Sequence, residues 1–356
     1  MAQKTSIGIG LVGAGFMGRC HAQAFTAVDR LFEGLPHPTL AVLADTQSPE
    51  VHARRLGFDR GTEDWRALID DPAVELVAIA APNELHAPIA LAALAAGKPV
   101  YCEKPLAASL TDAQTMTKAA QQSGLVNLVG FNYLHNPIIQ HAQRLIAAGE
   151  IGEVRTFRAI HGEDYMRDSN QTSWRLNPQG GGVSLDLGSH VISLARALIG
   201  PIQEIMGATQ TVLPGRQVDE QAQYLIRFAN GAGGSLQANW LAVGRTMQLS
   251  FEIVGATGAI SFTQERMNEL QFYKDGMDGF CKIEAGPAHP PYGRFTPAPG
   301  HQLGFNDLKI IEVNELLSAI AQQRMAFPDF AEALAVQKTI HAGLESARTR
   351  QWVCVA

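Results

Sequence analysis

The sequence predicts an α/β chain of two domains, a parallel sheet wrapped by helices and then an open, mostly antiparallel sheet with helices on one face. Three observations predict it. An apolar run, Ile7 to Val12, ends in Gly13-Ala14-Gly15-Phe16-Met17-Gly18; strand-like and helix-like runs alternate up to about residue 133; beyond that, strand-like runs follow one another across turn residues. At 356 residues the chain is long for one domain and comfortable for two. The division falls between 1–133 and 134–356, with the C-terminal helix packing back toward the first domain.

The first run reads as a strand turning into a helix, Arg19 to Val28, over a dinucleotide pyrophosphate. Gly13 permits the tight turn, Gly15 lets backbone approach the phosphates, and Gly18 lets helix and strand pack closely. Phe16 and Met17 belong to the same cofactor loop, whose helix N-terminus offers N–H groups to an anion. A second apolar run, Leu40 to Ala44, ends in Asp45, close to the usual offset of about 20 residues. A carboxylate there accepts from a ribose 2′-hydroxyl and repels a 2′-phosphate. This favours NAD over NADP, although Thr46, Ser48 and Arg54 beside it could reshape the pocket.

Further runs continue the alternation: strands Leu76–Ala81, Pro99–Cys102 and Leu125–Phe131, and helices Glu50–Leu56, Glu84–Ala96 and Thr111–Ser123. Thr111-Asp112 reads as a cap for the last helix and Gly97 as the stop of the one before. Ligands of parallel sheets lie beyond the carboxyl ends of the strands. Ala81, Pro82, Asn83, Glu103, Lys104 and Asn132 are therefore expected to face the cofactor.

After residue 134 the pattern changes. Pro137–Ala148 reads as a helix, Val154–His161 as a strand and Gly182–Ile199 as a helix. Strand-like runs follow: Ile202–Thr211, Gln221–Phe228, Gly234–Leu241, Met247–Val254, Ala259–Thr263 and Leu270–Tyr273. Gly286 to Gly304 is expected to be a long ordered loop, and Asn306–Ile320 and Phe330–Ala347 return to helix.

Composition narrows the function classes. Charged residues are 17% and the net charge is −6, so no basic field invites nucleic acid or an anionic membrane. The apolar stretches are too short to span a bilayer, and nothing before Ser6 resembles a signal peptide, so a cytoplasmic protein is expected. The four cysteines form no C-x-x-C pair and read as reduced, mostly structural thiols.

The glycine motif, Ala81-Pro82-Asn83-Glu84-Leu85-His86, Glu103-Lys104-Pro105, Gly130-Phe131-Asn132 and Gly181 to His190 together resemble the glucose–fructose oxidoreductase / inositol dehydrogenase (Gfo/Idh/MocA) family over essentially the whole chain. That resemblance implies an N-terminal Rossmann domain plus a C-terminal α/β domain, a sugar- or cyclitol-binding cleft between them, and a homodimer or homotetramer assembled through the C-terminal sheet. It also adds His86 to the cofactor set, and Trp174-Arg175 as a pair over cofactor and substrate.

The chemistry of three residues can be argued directly. Oxidising a secondary alcohol needs a base for the hydroxyl proton while hydride leaves the same carbon. At a strand end, partial burial and a neighbouring nicotinamide cation would let Lys104 shuttle a proton. Asp186 and His190, four apart on a helix, face one way; His190 is the natural base and Asp186 binds a hydroxyl or orients it. Whether Lys104 or His190 is the principal base stays open. No metal spacing is present. Tyr133, His161, Tyr165, Trp174 and Arg175, with His135, Glu163, Asp164 and His301 behind them, mix aromatic and polar groups as a pyranose requires. The expected activity is NAD-dependent oxidation of a ring hydroxyl of a sugar, glycoside, anhydrosugar or cyclitol to a ketone. Two alternatives are an NAD-dependent glycosidase using transient oxidation and a non-catalytic sugar sensor on the same fold.

Overall fold

The computed structural model describes residues 5–355. It divides into two compact units, Met1–Asn132 with Gly304–Leu334, and Tyr133–Leu303 with Ala335–Ala356.

In the first unit, six parallel strands run in the order β3-β2-β1-β4-β5-β6. They are β1 (Ser6–Val12), β2 (His37–Ala44), β3 (Arg60–Thr62), β4 (Leu76–Ile79), β5 (Val100–Cys102) and β6 (Asn127–Val129). Helices α1 (Phe16–Leu31), α2 (Pro49–Leu56), α3 (Trp65–Asp70), α4 (Asn83–Ala95) and α5 (Leu110–Ser123) connect them. This is the doubly wound order in which dinucleotides bind where the strand order reverses, beside β1 and β4. Ile9, Leu11, Leu76, Val77, Ala78 and Ile79 are fully buried, as central strands covered on both faces must be.

Three details differ from the sequence reading. Helix α1 begins at Phe16 rather than Arg19, because the last residues of the glycine motif already form its first turn. Ser109, not Thr111, caps α5: its hydroxyl accepts the Asp112 N–H at 3.0 Å and donates to the Asp112 carboxylate. The short β3 and α3 escape detection because an edge strand of sequence Arg-Gly-Thr has no apolar alternation and α3 is only 6 residues long.

The second unit opens with α6 (Pro137–Ala147), β7 (Val154–Gly162) and α7 (Ser189–Ile199), followed by β8 (Ile202–Gln210), β9 (Gln221–Phe228), β10 (Gly233–Asn239), β11 (Gln248–Gly255), β12 (Gly258–Thr263), β13 (Glu269–Lys274) and β14 (Cys281–Glu284). After α8 (Phe305–Gln322) and α9 (Phe330–Thr349), β15 (Val353–Cys354) joins the same sheet. Its nine strands run β14-β13-β12-β11-β7-β10-β9-β8-β15, and only the β7–β10 pair is parallel. Alternation sets the two faces: Ala222, Tyr224, Ile226 and Phe228 of β9 are buried, while Gln223, Leu225 and Arg227 are exposed. Phe157, Phe228, Phe251 and Phe262 form the aromatic core of the covered face.

The stretch read as one helix, Gly182–Ile199, is instead a π-helical turn, Ser184–Gly188, running into α7. Asp186 therefore sits on the π turn and His190 in the first α turn, and such turns occur often at functional sites. Residues 304–334 fold with the first unit, where Phe305 of α8 stacks on Phe16 of α1 at 5.7 Å, and the division between units falls inside α9. The loop from Gly286 to Gly304 packs around fully buried Tyr292, whose hydroxyl donates to the His301 carbonyl and lies 3.2 Å from that of Ala298. Cys20 and Cys102 are buried, Cys281 and Cys354 exposed, and all four are free thiols. Half of them are therefore not structural, because the edge strands β14 and β15 put their cysteines in solvent. No helix among the described residues is long and apolar enough to cross a membrane.

Candidate active site

Beyond the carboxyl end of β1, the backbone has the form a pyrophosphate needs. Gly13 has φ +99°, a conformation side chains resist, and a Cβ on Gly18 would lie 2.0 Å from the Gly13 carbonyl oxygen. Gly15 is exposed, and a Cβ there would meet nothing within 4 Å, so the approach to the loop is open. It is also the N-cap of α1 and supplies no side-chain cap, which leaves the first-turn N–H groups to an anion. Asp45 follows β2; its carboxylate accepts from Ala14 N–H at 2.8 Å and Gln47 N–H at 2.9 Å. A carboxylate has about four acceptor positions, so it can brace the glycine loop and still receive a ribose hydroxyl. Buried Asn132, after β6, has an amide nitrogen without a hydrogen-bond partner among the described residues. These features fit a nicotinamide dinucleotide.

Ala81 and Pro82 lie half-buried and Asn83 buried after β4, and Met17 is half-buried beside exposed Phe16. Two residues expected to face the cofactor prove to be committed within the protein. His86 is 1% exposed, with Nδ1 2.9 Å from the Pro105 carbonyl oxygen and Nε2 3.0 Å from that of Ala81. Burial pushes its pKa down, so the neutral ring donates to one of these carbonyls and packs against the other, between the segments that follow β4 and β5. Glu103 is 6% exposed and belongs to a buried ionic cluster.

That cluster centres on Lys309 of α8, whose side chain is 0% exposed. Its ammonium donates to Glu103 at 2.6 Å, to Glu312 at 2.7 Å and to the Tyr101 hydroxyl at 3.2 Å. His21 of α1 lies 2.7 Å from the same Glu103 oxygen and stacks on Tyr101 at 4.3 Å, while Tyr101 donates to Glu312. Burial alone would raise the Glu103 carboxyl, but Lys309 and His21 outweigh it and hold its pKa well below the usual range. Burial and the Glu103 charge push Glu312 the other way. The second Glu103 oxygen accepts the Lys104 N–H at 3.3 Å, so the cluster anchors the backbone of Lys104, whose side chain is half-buried.

In the second unit, polar groups gather around Asp186 and His190. Asp186, 7% exposed, accepts from the Tyr165 hydroxyl and from Trp240 Nε1 at 3.1 Å, and pairs with Arg175 Nε at 3.3 Å. Burial and the Asp186 charge push the Tyr165 pKa far up, so this phenol remains a donor. Burial opposes the charge of Arg175, but Asp186 and Tyr165 more than offset it. Trp174, 37% exposed, lies under the guanidinium at 4.4 Å. His190, 6% exposed, packs 4.8 Å from the Tyr133 ring and 5.4 Å from that of His161. His161 Nε2 lies 3.0 Å from Glu163, and its buried Nδ1 has no hydrogen-bond partner among the described residues. The unit thus brings together Asp186, Tyr165, Trp174 and Arg175 in one group and His190, Tyr133 and His161 in another.

Asp164 instead holds a turn, accepting Gly244 N–H at 3.1 Å, and His301 lies exposed in its loop. His135 is buried. Sequence reasoning missed Trp240, His21, Tyr101, Lys309 and Glu312. A tryptophan closing a strand, and a Lys–Glu pair three apart inside the apolar run Leu308 to Val313, were the available signals.

A doubly wound unit with an open phosphate-binding turn and, in the same chain, a second unit rich in buried polar groups define a nicotinamide-dependent oxidoreductase. The chain belongs to the GFO/IDH/MocA oxidoreductase family: the profile for the oxidoreductase family's NAD-binding Rossmann fold matches residues 7–131, and that for the GFO/IDH/MocA C-terminal domain matches residues 139–261. Its cofactor is NAD. Levoglucosan dehydrogenase of Pseudarthrobacter phenanthrenivorans is 37% identical to it over 98% of each chain. A structure of levoglucosan dehydrogenase in complex with NADH and levoglucosan is 38% identical, covers 98% of this chain and 99% of that one, and superposes with a TM-score of 0.96. The NAD-linked scyllo-inositol 2-dehydrogenase of Bacillus subtilis is 27% identical over 70% of this chain and 72% of that protein.

The buried cluster makes a signed prediction. Lys309→Met strands the Glu103 anion, and chemical denaturation at pH 7 is expected to show a loss of about 3–5 kcal/mol. Because the folded pKa of Glu103 is depressed, the pair's contribution is present above the unfolded glutamate pKa of about 4.3 and is lost as pH falls through the folded value. The deficit of the variant should therefore shrink below about pH 4; a deficit independent of pH would contradict the assignment of charge to Glu103.

Proposed function

We propose that this protein oxidises a ring secondary hydroxyl of an anhydrosugar of the levoglucosan kind, or of a related sugar, glycoside or cyclitol, to the ketone. The observation that carries the reading is the buried carboxylate of Asp186, ringed by Tyr165, Trp240 and Arg175 and followed four residues later by His190. Such a mixture of aromatic faces and fixed polar groups matches a pyranose, which presents an apolar ring face and several hydroxyls.

In this reading the Gly13–Gly18 turn and Asp45 would hold NAD, which would supply the acceptor for the carbinol hydride. His190 removes the hydroxyl proton, with Tyr133 and His161 packed against its ring to fix its orientation. Lys104, its backbone anchored through Glu103, hydrogen-bonds the reacting oxygen and shares the proton transfer. Asp186, with Tyr165 and Trp240 donating to one oxygen, stays a hydrogen-bond acceptor for a neighbouring substrate hydroxyl. Arg175 and Trp174 form a stacked cationic pair that covers the sugar. Four free thiols suit the reducing cytoplasm.

We also propose a homodimer or homotetramer built on the outer face of the nine-stranded sheet. That face carries a hollow of ≈ 770 Å³ lined by Met206 and Leu225 among polar residues, and Leu225 is 54% exposed. Sedimentation should give a mass two or four times the chain's 38.3 kDa, and Leu225→Glu should shift it toward the monomer. A monomeric wild type would contradict this assembly.

The activity is tested by following NADH absorbance with NAD, then NADP, against levoglucosan, myo- and scyllo-inositol, glucose and methyl glucosides. NADH should form with NAD and levoglucosan, and Lys104→Ala should lower kcat by roughly two orders of magnitude while NAD still binds. Turnover of none of these compounds by an NAD-binding protein would overturn the substrate class. Near-wild-type turnover by the variant would overturn the role of Lys104.

A further inference from the structure

Between β8 and β9 the chain makes a connection, residues 211–220, that closes on its own buried carboxylate. Glu220 is 0% exposed, and one of its oxygens accepts the N–H groups of Val212 at 2.6 Å and Leu213 at 2.8 Å. The other lies 3.5 Å from Nε of Arg216, whose side chain is only 5% exposed. The far end of the Arg216 guanidinium reaches out of the connection: it donates to the carbonyls of Asp168 at 2.7 Å and Gln171 at 3.2 Å. These carbonyls belong to the irregular segment that carries Tyr165, Trp174 and Arg175.

The same connection holds two other parts of the site. Asp219 accepts both the N–H and the hydroxyl of Ser184, the first residue of the turn that carries Asp186, and its carbonyl accepts Val183 N–H at 2.8 Å. The fit there is close, because a Cβ on Gly182 would lie 2.1 Å from the Asp219 carboxylate. The Glu220 carbonyl accepts the backbone N–H of Trp240 at 3.0 Å, and the Trp240 indole donates to Asp186. Tyr165, Arg175 and Trp240, which hold the Asp186 carboxylate, thus all lie on elements tied to this connection.

We propose that Arg216 is a positioning residue for the substrate: its guanidinium fixes the 163–177 segment so that Tyr165 and Arg175 meet Asp186 in the geometry that binds the sugar. This rests on the functional reading above. A guanidinium suits the task because its planar fork spans two carbonyls while Glu220 holds its charge, which an ammonium does only in part. Arg216 bonds to the backbone of this segment, so it acts through Tyr165 and Arg175, and first of all on sugar affinity.

The experiment uses the NAD-bound enzyme with Arg216→Ala and Arg216→Lys, both checked for an unchanged melting transition. Arg216→Ala should raise KM for levoglucosan about tenfold or more, change kcat less than about threefold and leave the Kd for NAD within about twofold, with Arg216→Lys in between. Backbone hydrogen exchange in residues 165–176 should accelerate in the same order, without change in residues 7–131. A folded Arg216→Ala enzyme with wild-type KM, or with wild-type exchange in that segment, overturns the proposal. If the wild type oxidises no sugar of the panel, it is the functional reading that fails, and the exchange measurement still decides whether Arg216 restrains the segment.

Discussion

A lysine ammonium sealed from water needs anions within hydrogen-bond distance, and in the first unit that requirement ties three elements together. Lys309 comes from α8, Glu103 from the end of β5 and His21 from α1, and the cluster has no solvent to relax into. Removing either charge alone leaves the other buried and unpaired, so the arrangement tolerates little movement. Its consequence is local and chemical. Glu103 immediately precedes Lys104 and also accepts its N–H, while the buried His86 ring packs against the Pro105 and Ala81 carbonyls on the other side. The residue assigned to proton transfer is thereby held by its backbone from both flanks, and its side chain remains half-buried.

The second unit solves a similar problem with a carboxylate at its centre. Asp186 lies on a π turn, where backbone geometry alone would not fix it, and two neutral donors and a guanidinium do so instead. Tyr165 and Trp240 fix the carboxylate without adding charge, while Arg175 sets a cation beside it. The two units thus place their polar residues by the same device, a buried charge whose partners come from distant parts of the chain.

Much of this was legible in the sequence. The glycine loop, Asp45 and the strand–helix alternation follow from local chemistry, since a tight turn, a close approach and an apolar period each restrict which residues can occupy a position. Lys104, Asp186, His190, Tyr165 and Arg175 could be named because strand ends and i,i+4 spacing are local signals. What escaped is what long-range packing decides. Glu103 and His86 sit where a parallel sheet presents residues to its ligand, yet their side chains turn inward to partners that sequence distance conceals. Lys309 reads as an ordinary interruption of an apolar helix until Glu103 is placed beside it. Trp240 and Arg216 likewise gain meaning only when the β10 end and the β8–β9 connection are brought against Asp186 and its neighbouring segment. The π turn was invisible because its sequence satisfies helix periodicity equally well.

In the proposed reaction this chain moves a hydride from a ring carbon of a sugar to NAD and releases the products. Its most direct test is mass spectrometry of the cofactor after incubation with NAD and levoglucosan deuterated at the ring carbinol carbons. Reduced cofactor one mass unit heavier is expected, formed together with the corresponding ketone. Unlabelled or unreduced cofactor beside consumed sugar would contradict it.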